Sequence, residues 1–172
     1  MPDDKKYSLD GLNGMGNFVR VLGPVFEHSP WIAEAAWAKH PFASVEDLHQ
    51  ALCQIVLNSG EEKQLALIRA HPDLAGRAAQ AGTLTRESTG EQAGAGLNRL
   101  SSEDLALFQK QNDAYRKTFG FPFVICARLN QPATILAAFE QRLKNSPARE
   151  LKTALEEIFK IAELRLRDLI AH

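Results

Sequence analysis

The 172-residue chain has only 2 cysteines, Cys53 and Cys126. Two thiols can supply neither a four-thiolate zinc cluster nor a disulfide framework, and a reduced, cytoplasmic setting is the simplest expectation. Charge of one sign is also lacking: 20 Lys and Arg face 21 Asp and Glu, a net charge of -1 at pH 7. The balance holds locally, with 8 basic and 10 acidic side chains in residues 1–86 and 12 and 11 in residues 87–172. No basic excess draws the chain to a phosphate backbone or an anionic lipid surface, so neither nucleic acid nor membrane is an expected partner. No stretch approaches the ~20 apolar residues of a membrane span. The N-terminal MPDDKKYSLDGLNGMG has no apolar core of a secretory signal, and RLRDLIAH carries no peroxisomal or prenylation signal.

The usual cofactor motifs are missing as well. There is no HExxH and no His-x-x-x-His pair; His28, His40, His49 and His71 are scattered, so no metal is expected. No Gly-rich loop fits a nucleotide, since GxGxxG and GxxxxGK[ST] are absent and Gly11, Gly14 and Gly16 form only a loose run. No GxSxG elbow marks an acyl hydrolase. Trp31 and Trp37, six apart, read as core or helix-interface residues, and Cys53 and Cys126 as structural thiols.

What is present is helical periodicity in an ordinary globular composition, 45% hydrophobic and 24% charged. Ser29-Pro30 reads as a cap and first helical position before WIAEAAWAKH, which runs to Pro41. Ser44, with Asp47 three residues on, opens a helix whose Leu48, Leu52, Ile55 and Val56 share a face and which Gly60 closes. EEKQLALIRA follows and breaks at His71-Pro72; DLAGRAAQAG is a short helix ending near Gly82. Thr85 begins a glycine-rich helical stretch, Ser101 to Asp104 a long helix, Pro132 another. Ser146-Pro147 begins the last, with Leu151, Leu155, Ile158, Ala162 and Leu166 as its apolar stripe. FGFPFVICAR is the one convincing extended segment. The expected fold is all-α: a single-domain bundle of seven to nine helices spanning 1–172, with one buried extended segment near 121–127 and a loose tail over residues 1–10.

Three segments depart from what helix packing requires. In Arg69-Ala70-His71-Pro72-Asp73-Leu74 the proline ends a helix and holds an imidazole at the junction, where it can titrate near neutral pH; the same residues also read as a plain helix break. In Glu87 to Gly94, Ser88 lies three residues from Glu91 and four from Gln92, so all three share a helix face able to bind a small polar ligand. The alternative there is a solvated helix with a capping box at Ser88. The buried Phe121-Pro122-Phe123-Val124-Ile125-Cys126 carries backbone groups that need partners, which a ligand, side chains, helix ends or water could supply.

The order LIRAHPDLAG at 67–76, LTRESTGEQAGAGL at 84–97 and FGFPFVICAR at 119–128 resembles the family of 2-oxo-4-hydroxy-4-carboxy-5-ureidoimidazoline (OHCU) decarboxylases of urate degradation. The resemblance continues through LGPVFEHSPWIAEAAW at 22–37 and EEIFKIAELRLRDLI at 156–170, and so covers nearly the whole chain. It implies a lyase that removes CO₂ from OHCU and protonates the carbon stereospecifically to give (S)-allantoin, with no metal and no organic cofactor. It implies His71 and Glu91 as the catalytic pair, and Pro72, Ser88 and Gln92 as substrate contacts. The backbone of Phe123, Val124, Ile125, Cys126 and Ala127 would hold the ring and ureido group, and Arg165 would be a basic contact, with Arg167 as its neighbour. It further implies a homodimer and a functional link to 5-hydroxyisourate hydrolase.

These residue types suit that reaction. Loss of CO₂ beside a carbonyl leaves an enolate-like carbanion whose sink is the substrate's own ring, so no coenzyme need hold the charge. Donors must meet the developing oxyanion, and a group of near-neutral pKa must move a proton. Two readings from other classes compete: a helical module that binds a heterocycle without chemistry, and a helical nucleic-acid-binding domain, which the even charge disfavours.

Overall fold

The structure, a computed structural model, describes residues 6–14 and 16–171. Helices dominate them: α1 (Leu9–Gly14), α2 (Phe18–Leu22), α3 (Trp31–Trp37), α4 (Val45–Leu57), α5 (Glu61–Arg69), α6 (Arg77–Ala81), α7 (Arg86–Gly94), α8 (Ser102–Phe119), α9 (Pro132–Arg142) and α10 (Pro147–Leu169). Short 3-10 turns lie at Gly23–Val25, Leu97–Arg99 and Ala127–Leu129. The all-α expectation is met. The helices outnumber those expected because α1 and α2, of 6 and 5 residues, are too short to show a periodic stripe in the sequence. No helix among the described residues is long and apolar enough to cross a membrane.

The chain divides into two units, Met1–Leu67 with Phe159–His172, and Ile68–Ile158; the divisions fall inside α5 and α10. In the first unit Phe18 stacks on Phe42 with ring centroids 6.1 Å apart and tilts against Trp37. Asn13 clamps Phe42 from both sides: its Nδ2 donates to the Phe42 carbonyl, and its Oδ1 accepts from the Phe42 N–H. The expected loose tail is tied at Tyr7, whose N–H donates to Leu169 O and whose carbonyl accepts from Ala171 N. Residues 1–5 lie outside the described residues.

The second unit is built around aromatic rings. Tyr115 of α8, Phe123 of the extended segment and Phe139 of α9 form one cluster, with Phe123 and Phe139 stacked at 3.8 Å and Tyr115 edge-on to Phe123 at 5.2 Å. The segment around Phe121–Cys126 is buried and extended as expected, and it pairs with no strand among the described residues.

The caps explain the boundaries. Ser44 and Ser101 accept the N–H of Asp47 and Asp104. Gly82 and Gly120 end α6 and α8 with φ of 69° and 78°, a region open to glycine. Two capping expectations fail. The Ser29 hydroxyl turns back to donate to the Glu27 carbonyl instead of capping α3. Ser88 is no cap: Thr85 accepts the Ser88 N–H, which puts Ser88 on a buried face inside α7.

Candidate active site

The second unit gathers most of the candidate residues. Helix α5 ends at Arg69, and Pro72 cannot continue it; His71 sits at the junction, 7% exposed, its N–H donating to Ile68 O. The turn after it is tight and unusual. Ala75 has φ of 51°, the left-handed region, where a residue with a Cβ is strained by about 1 kcal/mol. Gly76 is required by space, since a Cβ there would lie 2.6 Å from the Asp73 Cβ.

Side chains from two helices hold this turn. On α7, Gln92 Oε1 accepts the Ala75 N–H at 3.0 Å, and its Nε2 donates to Asp73 O at 3.3 Å. On α8, Asn112 Nδ2 donates to Leu74 O at 2.9 Å, and Arg116 pairs with Asp73 Oδ1 at 2.7 Å. The polar face of α7 is therefore brought to the histidine turn. Ser88 and Gln92 on it are buried and Glu91 is half-buried, the shared face that three- and four-residue spacing predicts.

The extended segment completes the arrangement. The Val124 carbonyl accepts from Arg142 Nη1 at 2.6 Å, and the Cys126 N–H donates to Glu157 Oε1 at 3.3 Å. Asn130 Nδ2 and the Leu129 N–H both donate to Cys126 O. Side chains thus take part of the backbone, as one reading of the sequence allowed. The N–H groups of Phe123, Val124 and Ile125 make no hydrogen bond among the described residues, though the three residues are at most 7% exposed. Buried N–H groups without acceptors are rare in folded chains. The 3-10 turn Ala127–Leu129 packs against α7. Burial raises the Cys126 thiol pKa, and the carboxylates of Glu157 and Glu91 reinforce it. Cys126 is thereby an inert thiol. So is half-buried Cys53, pushed up to about 12 by burial and then by Glu163.

Arg165 belongs to the first unit. It is buried, with Nη2 on Glu27 Oε1 at 2.8 Å and Nη1 donating to the carbonyls of Pro24 and Val25. Arg167 is more exposed and pairs with Glu46 and Glu163. Sequence reasoning passed over Asn112, Arg142, Glu150 and Glu157. A signal existed for two of them: Asn112 interrupts the apolar face of Phe108 and Tyr115, and Arg142 that of Ile135 and Phe139.

The comparisons with known proteins agree in direction. The family model described as OHCU decarboxylase matches residues 14–167. The 2-oxo-4-hydroxy-4-carboxy-5-ureidoimidazoline decarboxylase of Haloferax volcanii is 45% identical over 152 residues, 88% of each chain. A crystal structure of (S)-allantoin synthase superposes with a TM-score of 0.76 at 29% identity, covering 95% of this chain and 54% of that one, so the chain spans about half of that protein. A crystal structure of OHCU decarboxylase in the presence of (S)-allantoin gives a TM-score of 0.69 at 25% identity, covering 92% of this chain and all of the other. With a histidine turn, a polar helix face and an extended backbone gathered in one unit, and with a match along nearly its whole length, this chain belongs to the OHCU decarboxylase family.

Proposed function

We propose that the protein is a cofactor-independent carboxy-lyase that converts OHCU to (S)-allantoin in urate degradation, with His71 and Glu91 as its catalytic residues. The observation that carries the reading is the joining of the histidine turn to α7: Gln92 bonds the turn on both sides of Leu74, and Glu91 is the residue beside it. In the proposed reaction the bond to the substrate carboxylate breaks and CO₂ leaves. The electron pair left on C4 moves toward C5 and into the adjacent ring C=N bond, giving an enol at C4. The 4-hydroxyl then gives up its proton to become the ring carbonyl as a proton is delivered to C5, the carbon that bears the ureido group. The N–H groups of Phe123, Val124 and Ile125 suit the oxyanion, because donors already fixed and desolvated need no reorganisation as charge develops. His71 delivers the proton that sets the S configuration. Glu91 orients the imidazole or crowds the departing carboxylate. Pro72 and Ser88 flank these groups as substrate contacts, and the backbone of Cys126 and Ala127 extends the same surface.

Arg165 belongs to the proposal through the family resemblance alone, as a basic contact for a carboxylate or ring carbonyl. The same resemblance supports a homodimer, a cytoplasmic location and a functional link to 5-hydroxyisourate hydrolase.

The test feeds freshly made enzymatic urate product and follows optical rotation. Wild-type protein is expected to accelerate formation of (S)-allantoin. A folded His71→Asn variant is expected to lose at least about a hundredfold in turnover, the low end for a positioned proton donor, and Glu91→Ala to fall steeply with its fold intact. Slow racemic decay in the presence of wild-type protein overturns the activity. Wild-type turnover and S product from His71→Asn remove the histidine from the mechanism.

A further inference from the structure

We propose that Asn112 is a positioning residue for the reaction: with Gln92 it holds the left-handed turn that follows His71 and thereby aims the imidazole. The inference rests on the reading of His71 as the proton donor. Its own support is geometric. The turn Asp73–Gly76 has a non-glycine residue at φ 51° and a glycine that no other residue could replace without meeting Asp73 Cβ. Such a conformation persists only where its surroundings over-determine it. Here three backbone groups on two consecutive peptide units are gripped from outside the turn. Gln92 takes Asp73 O and Ala75 N–H, and Asn112 takes the Leu74 carbonyl between them.

Both gripping amides are buried, Gln92 at 6% and Asn112 at 3% exposed. A buried amide on an apolar helix face is retained at a cost unless its bonds are made. Asn112 spends its donor on one carbonyl, and its Oδ1 is buried without a hydrogen-bond partner. The side chain therefore contributes one bond, and that bond goes to the turn. Gln92 has an amide bonded at both ends to the turn, so in addition to any substrate contact it couples the turn to the helix that carries Glu91. The two amides fix the histidine junction relative to α7 and α8.

Asn112→Leu keeps volume and removes the donor, leaving the Leu74 carbonyl buried without it. The variant is expected to lose about tenfold or more in kcat, within the range for slight misplacement of a catalytic group, with KM changed by less than about twofold because uniform binding is untouched. Adding Ala75→Gly, which admits the left-handed turn at no steric cost, is expected to restore at least about a third of the lost kcat. An Ile135→Val control, which lowers stability through one buried methyl group, keeps wild-type kcat. Where Asn112→Leu does not fold, Asn112→Ala, which also lacks the donor, takes its place. Wild-type kcat in a folded donor-less variant while His71→Asn remains inactive overturns the positioning role and leaves the proton donor in place. Loss of kcat that Ala75→Gly does not relieve and that the Ile135→Val control reproduces also overturns it. A wild-type protein that does not accelerate OHCU loss overturns both.

Discussion

Among the described residues each unit holds a buried arginine–glutamate pair, and the two are surrounded differently. In the second unit Arg142 Nε meets Glu150 Oε1 at 2.7 Å. Tyr115 Oη donates to the same oxygen, Asn145 Nδ2 to Oε2, and the guanidinium lies 4.2 Å above the Phe123 ring while its Nη1 reaches the Val124 carbonyl. Tyr115 is raised above the usual phenol range by burial and by this carboxylate. In the first unit Arg165 meets Glu27 at 2.8 Å and spends Nη1 on two carbonyls of one short turn. The Arg142 pair is a node where α8, α9, α10 and the extended segment meet; the Arg165 pair ties α10 to the Pro24–Glu27 stretch. A buried ion pair is weak evidence for net stability, but removal of one partner strands the other. The number of groups depending on each carboxylate then sets the damage.

That difference can be broken at either carboxylate. Glu150→Leu leaves Arg142 charged and buried and removes the acceptor of Tyr115 and Asn145. It is expected to lower unfolding free energy by about 3–5 kcal/mol, measured by urea denaturation, and to loosen the segment that carries the proposed oxyanion donors. Glu27→Gln keeps an acceptor for Arg165 but removes the charge; the expected loss is about 1.5–3 kcal/mol, the scale of a charge-assisted hydrogen bond. A larger loss for Glu27→Gln than for Glu150→Leu would reverse the ranking. Arg167→Ala supplies the smallest effect. Its partner Glu46 is held below the usual carboxylate range, first by a backbone hydrogen bond and then by Arg167. A carboxyl lowered in the folded state stabilises above its unfolded pKa and loses that contribution as pH falls through the folded value. Exposed pairs of this kind contribute little, so Arg167→Ala is expected to leave the urea midpoint at pH 7 unchanged within error.

The helices were legible because their signals are local. A serine three residues before an acid, a proline at a first turn and a glycine past a last turn act within one turn of chain, and Ser44, Ser101, Gly82 and Gly120 behave as their positions predict. Ser29 and Ser88 misled because a hydroxyl has several backbone groups in reach, and the deciding contact depends on how the chain enters the helix. The shared face of Ser88, Glu91 and Gln92 was legible from spacing, and the place of His71 from its proline. Gln92 read as a substrate contact, yet its amide bonds the histidine turn at both ends, across 17 and 19 residues of sequence. Asn112 takes its meaning from a partner 38 residues away; Arg142 and Glu150 pair across only 8 residues, but the groups they organise, Val124 and Tyr115, lie 18 and 35 residues away.

The extended segment also bears on how such a site can change. Its N–H groups are the same for every side chain but proline that the codons at 123–125 can specify, so in the proposed mechanism a missense change to any other residue alters packing and leaves the donors chemically identical. The shape of that surface is written elsewhere, in Arg142, 18 residues on, and Glu157, 31 residues on, which fix the segment at Val124 and Cys126. Anyone seeking a different substrate from this scaffold would edit those remote anchors, because they re-aim a strip of main chain that has no alphabet of its own.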